Sequence, residues 1–193
     1  MSKLSLTKPL FLIIVLIAFY SCKKKYIPKP RGYFRIDFPE KAYQMYQSDC
    51  PFIFEYPVYG EIQPDDMSIS EPCWINIVFP DYNAKIYISY KPVKENLSEL
   101  LEDARTFAYK HTIKADAINE KLFLAKRKKV FGTLYDIKGN TASSVQFFLT
   151  DSTKHFIRGA LYFNAQPNKD SLAPVISFFS KDIDHMIETL EWK

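Results

Sequence analysis

Four strand-period segments follow one another between residues 122 and 163 with almost no chain between them. They read "LFLAKRKKV" (122–130), "FGTLYDIKG" (131–139), "ASSVQFFLT" (142–150) and "HFIRGALYF" (155–163). Gly139 with Asn140, and "DSTK" at 151–154, supply turn chemistry between them. Parallel neighbours need a crossover of about a dozen residues or more. No such length is available here, so these segments must run up and down as antiparallel neighbours.

The remaining pattern adds strands before this block and a helix on either side of it. "FIFEYP" (52–57) alternates around Glu55, and "YFRIDF" (33–38) alternates until Pro39 stops it. In "WINIVF" (74–79), Ile75, Ile77 and Phe79 share one face, and Trp74, Asn76 and Val78 the other. "KIYISY" (85–90) sets Ile86, Ile88 and Tyr90 together, and "PDYN" (80–83) reads as the hairpin turn between the two runs. Leu97, Leu100, Leu101, Ala104, Phe107, Ala108, His111, Ala115 and Ile118 recur at helical spacing and predict a helix over 97–118. Asn96 is placed to cap it, with Glu99 completing a capping box. A second helix is expected from a Ser171 cap, with Pro174 in its first turn and a stripe of Val175, Phe179, Ile183, Met186, Ile187 and Leu190. The expectation is one α+β domain over 33–193, an antiparallel sheet flanked by two main helices.

The N-terminus fixes the compartment. The uninterrupted apolar run is only 11 residues, 10–20, against the roughly 20 that span a bilayer. It fits the apolar region of a secretory leader, with Lys3 and Lys8 before it and small Ser21 directly before Cys22. Residues 1–21 are therefore expected to be a lipoprotein signal peptide, with Cys22 the acylated first residue of the mature chain. An uncleaved signal anchor with an incidental cysteine is the alternative. Residues 22–32, containing "KKKYIPKP", then form a basic, proline-bearing tether. Removing 1–21 takes two of the 26 basic residues and no acidic one, leaving 24 against 22. So balanced a chain gives no case for a nucleic-acid partner.

Cys50 and Cys73 would meet an oxidising space in an exported domain, where they either form a bridge or stay as two separate buried thiols. The chemistry-bearing residues are sparse. Asp151, Ser152 and His155 fall in one turn with Arg158 after them, but no G-x-S-x-G elbow frames the serine. Asp, Ser and Thr in turns ordinarily bond their own backbone. No nucleotide motif or metal-ligand spacing stands out, so neither cofactor nor metal is expected. His111 reads as a core residue on the first helix, and His185, beside Asp182, Asp184 and Glu188, as solvent-facing. Charged residues inside apolar segments (Arg31, Arg35, Asp103, Arg105, Lys114, Asp116 and Arg158) need partners if buried.

The strings "PKPRGYFRIDFP", "SYKPV", "LEDARTFAYKHTIKADAI", "LYDIKGNTASSVQFFLTDSTKHFIRGALYF" and "PNKDS" closely resemble the gliding-motility lipoprotein GldD family of Bacteroidetes. The resemblance runs from Cys22 to the final "TLEWK". It implies a lipoprotein of the gliding machinery, coupled to type IX secretion, with Cys22 as the lipid attachment and no known catalytic residues. Phe19 and Tyr20 agree with the relaxed cleavage motif of that phylum. Lys23, Lys24 and Lys25 stand where surface-exposed lipoproteins carry acidic residues, which points to the periplasmic face, of the outer membrane rather than the inner. The order of elements is also similar to the PsbP/Mog1-like fold.

These expectations combine into a non-enzymatic, membrane-tethered accessory protein that docks onto or stabilises other gliding and secretion proteins of the envelope. The expected contact is the exposed sheet face or the Thr150–Gly159 turn, with Arg31, Arg35, Asp151, Ser152, His155 and Arg158 as the partner-surface residues. Thirteen tyrosines and two tryptophans suggest a small-molecule or glycan-binding module as the alternative, and an envelope hydrolase is the third reading.

Overall fold

The computed structural model describes residues 35–65 and 71–193. The expected leader, Cys22, Arg31 and the 22–32 tether lie outside those residues. Ile36–Lys193 forms one compact unit. In chain order its elements are β1 (Tyr43–Tyr46), β2 (Phe52–Pro57), β3 (Glu61–Pro64), β4 (Ile75–Phe79), β5 (Ala84–Pro92), α1 (Leu97–Tyr109), β6 (Ala115–Ala125), β7 (Val130–Gly139), β8 (Ser143–Thr150), β9 (His155–Phe163), α2 (Lys169–Thr189) and β10 (Glu191–Trp192).

Seven strands form an antiparallel sheet in the order β3-β4-β5-β9-β8-β7-β6. The β6–β9 block is the meander that its short turns require. A second, smaller sheet sets β2 between β1 and β10. Alternation divides the large sheet into two faces. On the inner face Ile77, Phe79, Ile86, Phe147, Ile157 and Leu161 pack against Phe179, Ile183 and Met186 of α2, and Phe52 and Phe54 of β2 close that core. On the outer face Tyr135, Ile137, Phe148 and Phe156 meet Leu100, Ala104 and Ala108 of α1. The α+β arrangement with two main helices is the one expected, with the helices on opposite faces.

Several expectations fail locally. The first helix ends at Tyr109, a 3-10 turn follows at Lys110–Ile113, and the chain is strand from Ala115. The helical spacing misleads because a β-bulge between Ala115 and Ala117 shifts the strand register. Ala115 and Ile118 thus reach the same core that a helix would have offered them. Asn96 makes no side-chain cap, and its Oδ1 accepts instead from the Lys94 N–H at 2.8 Å. The second helix is capped by Asn168, whose Oδ1 accepts from the Ser171 N–H at 3.2 Å. Ser171 therefore lies inside the first turn and Pro174 beyond it. Residues 126–129 are a turn and not the end of a strand, which keeps four adjacent cations in solvent. Residues 35–38 are irregular. Phe38 gains its burial by stacking on Phe178, with ring centroids 4.3 Å apart.

Two devices fasten the small sheet. Cys50 and Cys73 are joined in a disulfide across 23 residues, with Cα atoms 5.6 Å apart. Asp182, only 1% exposed, accepts from Lys41 Nζ (2.7 Å), Tyr59 Oη (2.7 Å) and Tyr43 Oη (3.0 Å). Burial and the Asp182 charge push the Tyr43 hydroxyl up to about 12. Far from facing solvent, His185 stacks on Tyr43 with centroids 3.6 Å apart and bonds Glu55 at 2.6 Å.

Candidate functional site

Helix α1 covers the outer face only over β7, β8 and the start of β9. The outer residues of β4, β5 and the rest of β9 are left to line an open groove of about 1000 Å³ along the flank of α1. Strand alternation determines what faces it. In "AKIYISYKP" the apolar positions Ile86 and Ile88 turn inward, so Lys85, Tyr87, Ser89 and Lys91 point into the groove. Val78 of β4 and Trp74 just before that strand join them, with Phe156, Arg158, Ala160 and Tyr162 from β9.

The pairing arranges these side chains in rows across the strands. Trp74 directly precedes the Ile75–Ile88 pair, Ser89 of β5 pairs with Arg158 of β9, and Arg158 pairs with Phe148 of β8. The next row runs Asn76, Tyr87, Ala160 and Gln146, and the one beyond it Val78, Lys85 and Tyr162. Tyr87 and Tyr162 meet edge to face at 5.5 Å. Lys85 lies 5.2 Å from the Tyr87 ring and Lys91 5.5 Å from that of Trp74, whose indole N–H donates to the Tyr90 carbonyl at 2.8 Å. From α1, Phe107 sits 4.5 Å from the Arg158 guanidinium carbon. Tyr87 is 40% and Phe107 42% exposed, high for aromatic rings.

Arg158 is the electrostatic centre of the groove. Its Nη2 donates to Gln146 Oε1 at 2.7 Å, a neutral acceptor. Burial lowers its pKa, with Tyr162 opposing, but a guanidinium stays charged throughout the physiological range. Burial also lowers the pKa of His111, and the Arg158 charge adds to this. His111 lies in the 3-10 turn after α1 and not on a helical stripe. Three polar atoms on this face are sealed from solvent with no hydrogen-bond partner among the described residues: Arg158 Nε, Gln146 Nε2 and Asn76 Oδ1. Their concentration on one sheet face is unusual, since buried polar atoms are paired as a rule.

The other candidate residues lie elsewhere. Asp151 is consumed by its own turn. Its Oδ1 accepts from the N–H groups of Thr153 (2.9 Å), Lys154 (2.7 Å) and His155 (2.8 Å), and its Oδ2 from the Thr153 hydroxyl (2.8 Å). Burial alone would raise this carboxyl, but those donors outweigh it and hold the pKa down at about 2. His155 turns to the inner side of the sheet, with its Nδ1 2.9 Å from Tyr90 Oη and its ring stacked 5.2 Å from Trp192. Ser152 is exposed, and among the described residues no hydrogen bond joins it to His155. The turn thus holds Asp151, Ser152 and His155 together, while Arg158 belongs to the opposite face. Arg35 is exposed at the start of the described chain. Among the other flagged charges, Asp116 pairs with Lys169 at 2.6 Å and Arg105 lies 5.2 Å from the Tyr109 ring. The groove residues Trp74, Asn76, Lys85, Tyr87, Lys91 and Gln146 were not distinguished from an ordinary solvent face by sequence. Their only signal was polar and aromatic residues at alternate positions of apolar strands.

Among the described residues no three of His, Cys, Asp and Glu lie close enough together to hold a metal ion. Among them, too, no helix is long and apolar enough to cross a membrane. Comparison with curated proteins finds no match. Among solved structures the chain is similar to cyanobacterial PsbP (CyanoP) from Synechocystis sp. PCC 6803, at 12% identity and a TM-score of 0.49. That likeness covers 80% of this chain and 95% of the other, and says nothing about what this chain binds. Residues 23–192 match the family described as Gliding motility lipoprotein GldD. With that span inside one family, the chain belongs to the gliding motility lipoprotein GldD family, a group of lipid-anchored envelope proteins.

Proposed function

We propose that this chain is a docking component of the gliding machinery, acting by binding and not by catalysis, and that it grips a partner through the outer-face groove. In this reading residues 1–21 are removed, Cys22 carries the lipid, and residues 22–32 tether the domain to the periplasmic face of the outer membrane. The partner is a protein of the gliding apparatus or of the type IX secretion system coupled to it. Confinement to one membrane surface raises the effective concentration of the domain for partners on that surface. The carrying observation is the half-covered sheet face, where Tyr87 and Phe107 stay exposed beside Lys85, Lys91 and Arg158. Exposed aromatics next to arginine are the composition of protein–protein contact centres.

The test is a photo-crosslinking amino acid placed in living cells at Tyr87, in the groove, and at Lys181, exposed on α2. Docking through the groove predicts a discrete adduct from position 87, none from 181, and loss of colony spreading when the protein is deleted. Equal adducts from both positions, or normal spreading without the protein, would refute the proposal. The rings of Trp74, Tyr87 and Tyr162 also suit a glycan. That second reading predicts no protein adduct, and saturable binding of an envelope oligosaccharide.

A further inference from the structure

We infer that Arg158 is the anchor of a carboxylate-binding site, and that the groove receives an acidic peptide segment with apolar flanking residues. This rests on the docking reading and supplies the chemistry of the partner.

The argument starts from an uncompensated charge. Arg158 is half-buried, and the side chains that its guanidinium bonds, the Gln146 amide and the Tyr162 hydroxyl, are both neutral. No carboxylate of the described residues lies within ion-pair distance of its guanidinium. The group that favours its charge is the Tyr162 hydroxyl. A buried arginine of this kind is normally matched by a carboxylate, because desolvating an unpaired guanidinium is costly. Among the described residues the matching group is absent, and the guanidinium borders an open groove. Gln146, only 2% exposed, holds one edge of the guanidinium and itself has a spare Nε2 donor on the same face. Arg158 Nε is a second donor without an acceptor among the described residues and Asn76 Oδ1 an acceptor without a donor, but all three are sealed from solvent, so a ligand in the groove meets the other N–H groups of the guanidinium. A carboxylate has two oxygens and no hydrogens, so it complements the planar fork of a guanidinium.

The surroundings define the rest of the ligand. Lys85 and Lys91 flank Arg158 on the same strand face and add attraction for anions, while Asp65 and Asp103 at the rim oppose it. Leu100, Ala104 and Phe156 give the wall beside Arg158 an apolar surface, and Tyr87 and Phe107 offer ring faces. A polyanion such as a nucleic acid would find only three cations and a largely apolar floor. An acidic residue set between aromatic or aliphatic neighbours matches both features.

The test uses the full-length lipidated protein in detergent micelles. The probe is acetyl-Leu-Glu-Phe-Glu-Leu-amide, compared with the same peptide in which glutamine replaces each glutamate. The site predicts saturable binding of the acidic peptide, at least about tenfold tighter than its neutral twin. It also predicts a downfield movement of the Arg158 Nε–H resonance with the acidic peptide alone. Arg158→Lys keeps the charge but loses the planar fork and should weaken binding by about tenfold. Should that variant unfold, Lys85→Ala with Lys91→Ala keeps the test open, because it must weaken binding while leaving the Arg158 resonance responsive. Equal binding of the two peptides, no binding of either, or a resonance that responds to anionic phospholipid vesicles and not to peptide would overturn the inference. Docking itself is judged separately. If Arg158→Gln leaves the adduct from position 87 intact, the groove docks its partner but the carboxylate anchor is wrong.

Discussion

Replacing Asp182 by alanine should be among the most damaging single changes in this domain. The carboxylate joins three donors, at 2.7, 2.7 and 3.0 Å, from two segments of chain that precede and follow β2. Lys41 also donates to the Phe178 carbonyl at 3.0 Å, so the ammonium links the entry segment to α2 twice. Removing the acidic partner leaves a partly buried ammonium and two phenol hydroxyls without their acceptor. Breaking a buried pair in this way costs about 3–5 kcal/mol. The Lys41 side chain is 27% exposed and can regain some hydration, which places Asp182→Ala near 3 kcal/mol. For a chain of this size that lowers Tm by roughly 6–12 °C. Lys41→Met should cost about as much, near 3 kcal/mol, because it strands a carboxylate only 1% exposed, with the two tyrosine donors as partial compensation. The double variant should cost clearly less than the sum of the two, since the stranded charge is gone. Thermal and urea unfolding by circular dichroism measure all three. Hydrogen exchange of the Val58 amide, which donates to the Ala42 carbonyl at 3.0 Å, reports whether the entry segment detaches first. An Asp182→Ala variant within about 0.5 kcal/mol of the parent, or strictly additive costs, would show that the cluster is decoration and not a fastening.

Opening the Cys50–Cys73 bridge by Cys→Ser at both positions frees a 23-residue loop and should cost about 3 kcal/mol, read as a lower urea midpoint that reductant no longer changes. Gly159→Ala drives a Cβ into the ring of buried Phe147 and should cost at least about 2 kcal/mol, partly recovered by adding Phe147→Leu; a parent-like melt would show that the ring moves aside freely. The Asp151 carboxyl is depressed when folded, so its contribution is complete above the ordinary carboxyl range and is lost as pH falls through about 2. After solvent screening it is worth about 1 kcal/mol, and Asp151→Ala should flatten stability between pH 4 and 2 by that amount.

The sheet was legible because its strands carry their period openly and their turns are short. "HFIRGALYF" is β9 from end to end, and "FIFEYP" is β2. What was hidden depended on partners distant in sequence. β1 has the pattern "YQMY", which alternates weakly, and it forms because β2 offers an edge and Asp182 holds Tyr43. β10 is two residues long and exists only as an addition to β2. The overrun of the first helix has a different origin. A bulge can imitate helical spacing over a few residues, and only the pairing of β6 with β7 distinguishes the two. For the cysteines, sequence left bridge and separate thiols both open, because Cα separation is a property of the folded chain.

The groove shows where single-sequence reading stops. Asp116 and Arg158 raised the same question as charged residues in apolar company. Asp116 is exposed and finds Lys169 across a loop, at little energetic consequence. Arg158 finds an amide, because β9 pairs with β5 on one side and β8 on the other and neither neighbour brings a carboxylate to its row. That row is assembled from residues about seventy positions apart, and α1 stops short of covering it. A half-buried charge without its opposite among the described residues is costly for an isolated domain. It is a sensible arrangement if the opposite charge arrives on another molecule, and the lipid anchor of this family keeps the domain at the surface where such a molecule can be met.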